Sequence, residues 1–385
     1  MALGRELDAR ERPSLGQKLA EVNWLLVALI CLAAGVGFAM LYSAGNGSYQ
    51  PWASRQMLRF AVGLALMLAV ALVDIRLWYR YAYALYGLAL ALLVAVEVAG
   101  VAGMGARRWI DLGPFQLQPS EIMKVALVLA LARYFHGIAH EDIGRLPLLL
   151  LPAAMTALPV ALVLRQPDLG TALLIAMTAA GLFFAAGVRL WKFGLGLGLL
   201  LAAVPLAWRF LLHDYQRERV RVFLNPESDP LGAGYHAIQS KIALGSGGLF
   251  GKGFLQGTQS HLNFLPERQT DFIFTMLAEE FGLAGSLALI GIYLLILAYG
   301  IAIALRARSQ FGRLLAMGVM LTFFLYLFIN IAMVTGLLPV VGVPLPLVSY
   351  GGTAMLTLLF GFGLVISTSI HRDVAMGLRP DFGPR

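Results

Sequence analysis

The chain reads as an all-α polytopic integral membrane protein, with about ten transmembrane helices and one long extracytoplasmic loop. Three observations predict this. Hydrophobic residues make up 59% of the chain and charged ones 13%, about half the charged share of a soluble domain. Apolar runs of about 17 to 25 residues, long enough to cross the hydrocarbon, recur from end to end. Polar sequence gathers in one long stretch, 213–270.

Taken in order, residues 1–21 are charged and carry no apolar core, so they form a cytoplasmic tail and not a cleaved signal peptide. A single transmembrane domain, 22–370, follows, with spans near 22–42, 56–73, 79–101, 119–135, 146–164, 170–188, 191–212, 271–305, 314–336 and 350–370. Residues 371–385 are a second cytoplasmic tail. Sixteen of the 29 Lys and Arg residues fall in the two tails and the loops on the tail side. The short loops of the other side hold only Arg55, Arg59, Arg107, Arg108 and Arg165. That asymmetry places both termini in the cytoplasm and the 213–270 loop outside.

The formal charge of +8 is accounted for by these inner loops, which removes nucleic acid as a partner. Cys31 is the only cysteine, so no intrachain disulfide forms and Cys/His metal clusters are excluded. No tandem or inverted repeat is visible.

The stretch FLPERQTDFIFTMLAEEFG, 264–282, is where the polar loop becomes a span, and Asp271 stands at that junction. An N-cap accounts for an Asp there, since its oxygens satisfy free helix N–H groups, but capping does not exclude catalysis. Glu279 and Glu280 follow eight and nine residues on. A continuous helix puts them about 12 to 14 Å further along, below the interface and in need of partners.

Four other stretches carry candidate chemistry. In GARRWIDLGPFQLQPSEIMKVAL, 105–127, Arg107, Arg108 and Trp109 suit an interfacial anchor, while Glu121 and Lys124 share a helix face near the outer end of a span and can pair. RQPDLGT, 165–171, is a tight turn with Asp168 as an N-cap for the next span. The long loop holds Arg217, on what reads as a solvated edge, and a glycine run, 245–253, beside Lys252. That run lacks phosphate-loop spacing but exposes backbone N–H groups able to cradle an anion. The last outer loop, 330–355, has no charge, and Pro339, Pro344 and Pro346 forbid a continuous helix. Its backbone is therefore buried in protein or lines a cavity.

The spacing of Asn330, Gly336, Pro339, Gly342, Pro344, Pro346, Ser349, Tyr350, Gly351 and Gly352 resembles the signature of the shape, elongation, division and sporulation (SEDS) family. RRWIDLG, QPSEIMK, QPDLGT, SGGLFGKG and LPERQTDFIF resemble further blocks of that family, and GTQS with FLPERQTDFIF is most similar to its elongation branch. The resemblance implies a peptidoglycan glycosyltransferase that polymerises lipid II, the undecaprenyl-diphosphate-linked disaccharide pentapeptide, during cell elongation and so controls rod shape. It also implies an inner-membrane location, work beside a class B penicillin-binding protein and the elongation machinery, and contact with membrane lipid. The family's essential acid falls on Asp271, and its important acid and lysine fall on Glu121 and Lys124. Gln269 stands where many members have His.

Such a reaction needs a carboxylate to take a proton from an acceptor hydroxyl and cations to steady a departing diphosphate. Asp271 fits the base. Lys124, Arg108, Arg217 and Lys252 are the candidate cations, and Ser349 and Tyr350 complete the substrate-binding set. Displacement in one step, with inversion, needs no covalent enzyme intermediate. A divalent cation, Mg or Mn, suits the diphosphate, although no dedicated metal site is evident. Two other classes use the same features: a lipid II flippase would need polar groups through both halves of its path, and a noncatalytic scaffold for a transpeptidase would leave Asp271 without a role.

Overall fold

The computed structural model describes residues 14–103, 106–111, 113, 116–139, 141–211, 214–225, 233–261, 267–374 and 376. Most of both predicted tails and parts of the long loop therefore lie outside the described residues. After a short amphipathic helix α1 (Leu15–Ala20), the spans are α2 (Trp24–Ala44), α3 (Ala53–Leu72), α4 (Ile75–Ala99), α5 (Pro119–His136), α6 (Leu146–Arg165), α7 (Leu169–Ala186) and α8 (Leu190–Leu206). The long loop contributes α9 (Asp214–Leu224), α10 (Ala233–Ser246) and the single turn α11 (Thr258–His261). The last spans are α12 (Ile273–Arg306), α13 (Gln310–Val334) and α14 (Gly352–Ile370).

Among the described residues, nine helices are long and apolar enough to cross a membrane. The tenth predicted span is present as α5, whose 18 residues include Glu121, Lys124 and Arg133 and so fall short on composition alone. Helix α5 tolerates these charges because it is the inner pillar of the bundle, buried along almost its whole length. With α13 it forms a centre around which α4, α7, α12 and α14 pack, and α3 lies along α14. Among the described residues, helix α8 buries none of its apolar side chains and forms an outer flank.

Helix α6 shows how the bundle meets the demand that every backbone polar group in a bilayer be satisfied internally. Pro152 and Pro159 lie inside it, and each removes the N–H that would bond the carbonyl four residues earlier. Those two carbonyls, of Leu148 and Met155, instead accept from Tyr134 Oη of α5 at 2.6 Å and Tyr86 Oη of α4 at 2.8 Å.

Two features depart from a plain helical reading. The loop before α5 folds into a small antiparallel sheet, β1 (Val101–Gly103), β2 (Ala106–Asp111) and β3 (Gln116–Leu117), with Ile110 opposite Leu117. More consequentially, α12 is not one continuous span. Gly282 has φ 67° and ψ −160°, which divides it into a short helix, 273–281, and a membrane-length helix, 283–306. Both ends of the short helix are tied to the same end of the bundle. Asn330, near the end of α13, donates to Asp271 O at 3.0 Å, and Ser43, at the end of α2, donates to Glu280 Oε1. The expected depth of Glu279 and Glu280 is thereby corrected: the helix that carries them lies across the mouth of the bundle instead of running down a span.

Candidate active site

At that mouth opens a cavity of about 1410 Å³. Its polar end is lined by Arg55 and Arg59 of α3, Arg108 of β2, Glu121 and Lys124 of α5, Asp168, Asp271, Tyr326 of α13 and Tyr350. Its far walls are apolar: Leu66 of α3, Leu85 and Leu88 of α4, Ile122 and Leu129 of α5, and Leu356 and Phe360 of α14. A ligand with a charged head and a hydrocarbon tail matches that division.

Asp271 lies in the turn before the short helix. The helix N-cap is Phe272, not Asp271, and it makes no side-chain cap bond. Three bonds to backbone carbonyls fix the turn: Tyr350 N to Gln269 O at 2.8 Å, Ser349 Oγ to Thr270 O at 2.6 Å, and Asn330 Nδ2 to Asp271 O at 3.0 Å. Asn330 Nδ2 also donates to Val343 O at 2.7 Å, so one amide joins the turn to the proline-rich loop. That loop runs close by the acid, since a Cβ on Gly342 would stand 3.5 Å from Asp271 Oδ2. Its backbone is buried in part and lines the cavity in part, as its prolines require. The glutamine at 269 donates to Glu267 Oε2 at 3.2 Å.

Glu121 and Lys124 pair as the helical spacing predicts, with Lys124 Nζ 2.7 Å from Glu121 Oε1. Tyr326 closes the pair into a triad: its hydroxyl donates to Glu121 Oε2 at 2.6 Å and accepts from Lys124 Nζ. All three side chains are buried. The ammonium is therefore held by an anion and a hydroxyl of the protein itself.

Arg108 is similarly engaged. Its guanidinium donates to the carbonyls of Gln166 (3.0 Å) and Pro167 and lies 3.9 Å from Asp168 Oδ2, so it braces the QPD turn. Asp168 caps α7 as predicted, accepting from Thr171 N at 3.1 Å and Thr171 Oγ1 at 2.9 Å. Buried Arg268, whose guanidinium desolvation holds below its ordinary value, does not face the cavity.

Two predicted cations do not reach the cavity. Arg217 Nη2 donates to Arg209 O at 3.2 Å. Lys252 sits 2.8 Å from the fully buried Glu279. The glycine run beside it cradles no anion at this site; its backbone bonds to the two helix ends at the Gly282 break. Lys252 N and Gly253 N donate to the carbonyls of Glu279 and Glu280, each at 3.0 Å. Leu283 N and Ala284 N donate to the carbonyls of Gly248 and Leu249 at 2.9 and 3.0 Å. Those are groups a helix break leaves unsatisfied. Close approach forbids side chains here, for a Cβ on Gly251 would stand 2.1 Å from Glu280 O.

The cavity cations that meet no carboxylate within ion-pair distance, among the described residues, are Arg55 and Arg59. Arg59 rests over the Tyr350 ring, 4.8 Å from its centroid. Neighbouring Gln56 donates to Ser349 O at 2.9 Å and accepts from Gly351 N at 3.3 Å, so α3 holds the Ser-Tyr-Gly-Gly corner in place. Sequence reasoning registered these arginines only as outer-loop charges and missed Tyr326 altogether. A tyrosine four residues before Asn330 on an apolar span was its only signal. Among the described residues no group of three or more His, Cys, Asp or Glu is placed to hold a metal ion.

Fold and site together define a polytopic membrane protein with a charge-lined chamber open to an apolar groove, and a carboxylate at its mouth. The chain belongs to the FtsW/RodA/SpoVE family, described as cell cycle proteins, whose model matches residues 22–374. This agrees with the motif resemblance. The chain is 48% identical to the peptidoglycan glycosyltransferase MrdB of Escherichia coli K12 over 347 residues, 90% of this chain and 93% of that protein. It is 30% identical to the peptidoglycan glycosyltransferase RodA of Treponema pallidum, covering 92% and 99%. Among solved structures it is similar to RodA of Thermus thermophilus (TM-score 0.69, 32% identity, covering 92% and 98%). It is also similar to a chain from a study of polymerisation and crosslinking by a peptidoglycan synthase complex (TM-score 0.79, 35% identity, covering 91% and 98%).

Proposed function

We propose that this chain is an inverting peptidoglycan glycosyltransferase that polymerises lipid II during cell elongation. The observation that carries the reading is Asp271 at the polar mouth of a cavity whose other walls are apolar. Such a chamber seats a diphosphate-linked sugar at one end and a polyprenyl chain along the other.

In the reaction the acceptor hydroxyl oxygen bonds to the donor sugar's anomeric carbon as the bond from that carbon to the diphosphate breaks. The hydroxyl proton passes to the Asp271 carboxylate and then to water. The electron pair of the broken bond leaves with the polyprenyl diphosphate. Attack opposite the leaving group converts an α-linked donor into a β-linkage. Arg55 and Arg59, which meet no carboxylate among the described residues, are the side chains to meet the diphosphate. The Glu121–Lys124–Tyr326 triad shapes the chamber wall beside it. A divalent cation, Mg or Mn, would be held by the substrate diphosphate, with cavity carboxylates such as Asp271 and Glu267 able to share it, and would supply neutralising charge to the leaving group. Loop charge supports cytoplasmic termini and a site on the extracytoplasmic side of the inner membrane. The synthase-complex relative supports a crosslinking partner of the class B penicillin-binding type.

Concentration of the polar lining at one end favours polymerisation over transport. The test is to give purified chain, with and without such a partner, lipid II in detergent. Glycan strands longer than a disaccharide are expected. Lipid II movement across vesicles with no strands formed would favour the flippase.

A further inference from the structure

The buried acid at 279 has no part in the chemistry above, yet the chain invests heavily in it. Glu279 is 0% exposed. Its Oε1 accepts from Lys252 Nζ at 2.8 Å, Gln259 N at 2.9 Å and Thr258 Oγ1 at 3.2 Å, and Lys252 Nζ donates again to Thr258 Oγ1 at 2.8 Å. Both segments of the long loop that flank residue 255 thus converge on one carboxylate. The same loop bonds to the backbone on either side of Gly282.

The short helix held in this way, 273–281, is about 13 Å long. Its N-terminal end carries Asp271. Its first turn is pinned where Thr275 Oγ1 meets Ser240 Oγ at 2.9 Å. Because Gly282 breaks the helix, the membrane-length part of α12 cannot by itself fix where the short part points. The clasp at its far end does so together with Ser43 on Glu280 and the bonds that hold the Asp271 turn. The backbone N–H groups of Lys252 and Gly253 also satisfy the helix's last carbonyls, of Glu279 and Glu280, at 3.0 Å each.

We propose that Lys252 and Glu279 are positioning residues for the Asp271 carboxylate, acting through the short helix as a lever pinned at its far end. The proposal rests on the assignment of Asp271 as the base. Displacing a reacting group by about 1 Å is enough to cost on the order of 100-fold in rate. A loosened clasp should therefore slow turnover while leaving the chamber that binds substrate intact.

The test uses the full chain with lipid II, measuring kcat, KM and Tm for Lys252→Met, Glu279→Gln, the double variant and Lys252→Arg. Lys252→Met should lower kcat about 10- to 100-fold with KM within about 2-fold. Lys252→Arg should recover most of that loss, and the double variant should be no slower than the worse single. A rise in KM at constant kcat would make Lys252 a substrate contact and overturn the proposal, as would unchanged kcat at lowered Tm. Should Lys252→Met fail to fold, Thr258→Val carries the test: it replaces only the clasp hydroxyl, by a methyl group of similar size, and an unaltered kcat in that variant sinks the idea. Asp271→Asn, measured alongside, separates the two claims. If it is fully active, the base assignment falls and this proposal with it. If it is dead while Lys252→Met turns over normally, positioning alone is wrong.

Discussion

Removing Lys124 tests the triad at the chamber wall. Lys124→Met keeps the length of the side chain and its packing but leaves the Glu121 carboxylate, 6% exposed, with Tyr326 as its remaining partner in the triad. Breaking a buried ion pair from one side costs about 3–5 kcal/mol, because an uncompensated charge stays in the low-dielectric interior. Glu121→Met strands the ammonium in the same way and should cost a similar amount. Removing both charges leaves only the Tyr326 hydroxyl wanting a partner, about 1–3 kcal/mol. Independent sites would sum to about 6–10 kcal/mol. A coupled pair should show a double variant more stable than either single. The assay is reversible unfolding in mixed micelles, with the four proteins of the cycle compared at one pH and ionic strength. A double variant destabilised by the sum of the singles would refute the triad as a unit.

Two further expectations follow from the same geometry. Arg55→Met and Arg59→Met should each raise KM for lipid II and lower kcat/KM about 10- to 100-fold, the worth of a charge-assisted bond to phosphate. Stability should change little, since neither arginine meets a carboxylate among the described residues; unchanged kinetics would move the diphosphate elsewhere. In a Cys31-free background, cysteine at exposed Ser48 should be labelled by an impermeant reagent in intact cells, and cysteine at exposed Glu141 should not. The reverse pattern would invert the orientation read from loop charge.

The bundle was legible because a bilayer admits few structures: apolar runs of the right length must be helices, and interrupted ones must be buried. Even α5, with three charges, was found by its length and flanks. The Glu121–Lys124 contact was legible because both partners lie on one helix three residues apart. Tyr326 was not, because its meeting with them is set by how α13 crosses α5, 205 residues away along the chain. Glu279 and Glu280 were misplaced for a related reason. Gly282 was visible as a breaker, but only the folded chain reveals that the break turns the preceding helix across the mouth and hands its ends to the glycine run. Arg55 and Arg59 are two of five outer-loop arginines that the sequence does not tell apart. Which cation is available depends on which carboxylates the fold brings to the others.

The measurement closest to the central claim compares Asp271→Asn with the parent chain on the same purified complex, reading glycan strand formation, lipid II binding and Tm together. Asparagine preserves shape and loses the basicity that the acceptor proton requires. The N-cap of the short helix is Phe272, so the change leaves the capping residue in place. The account predicts near-complete loss of polymerisation with lipid II affinity and Tm close to the parent, since the change removes an interaction used chiefly in the transition state. Strand formation within a few-fold of the parent at unchanged Tm would contradict it.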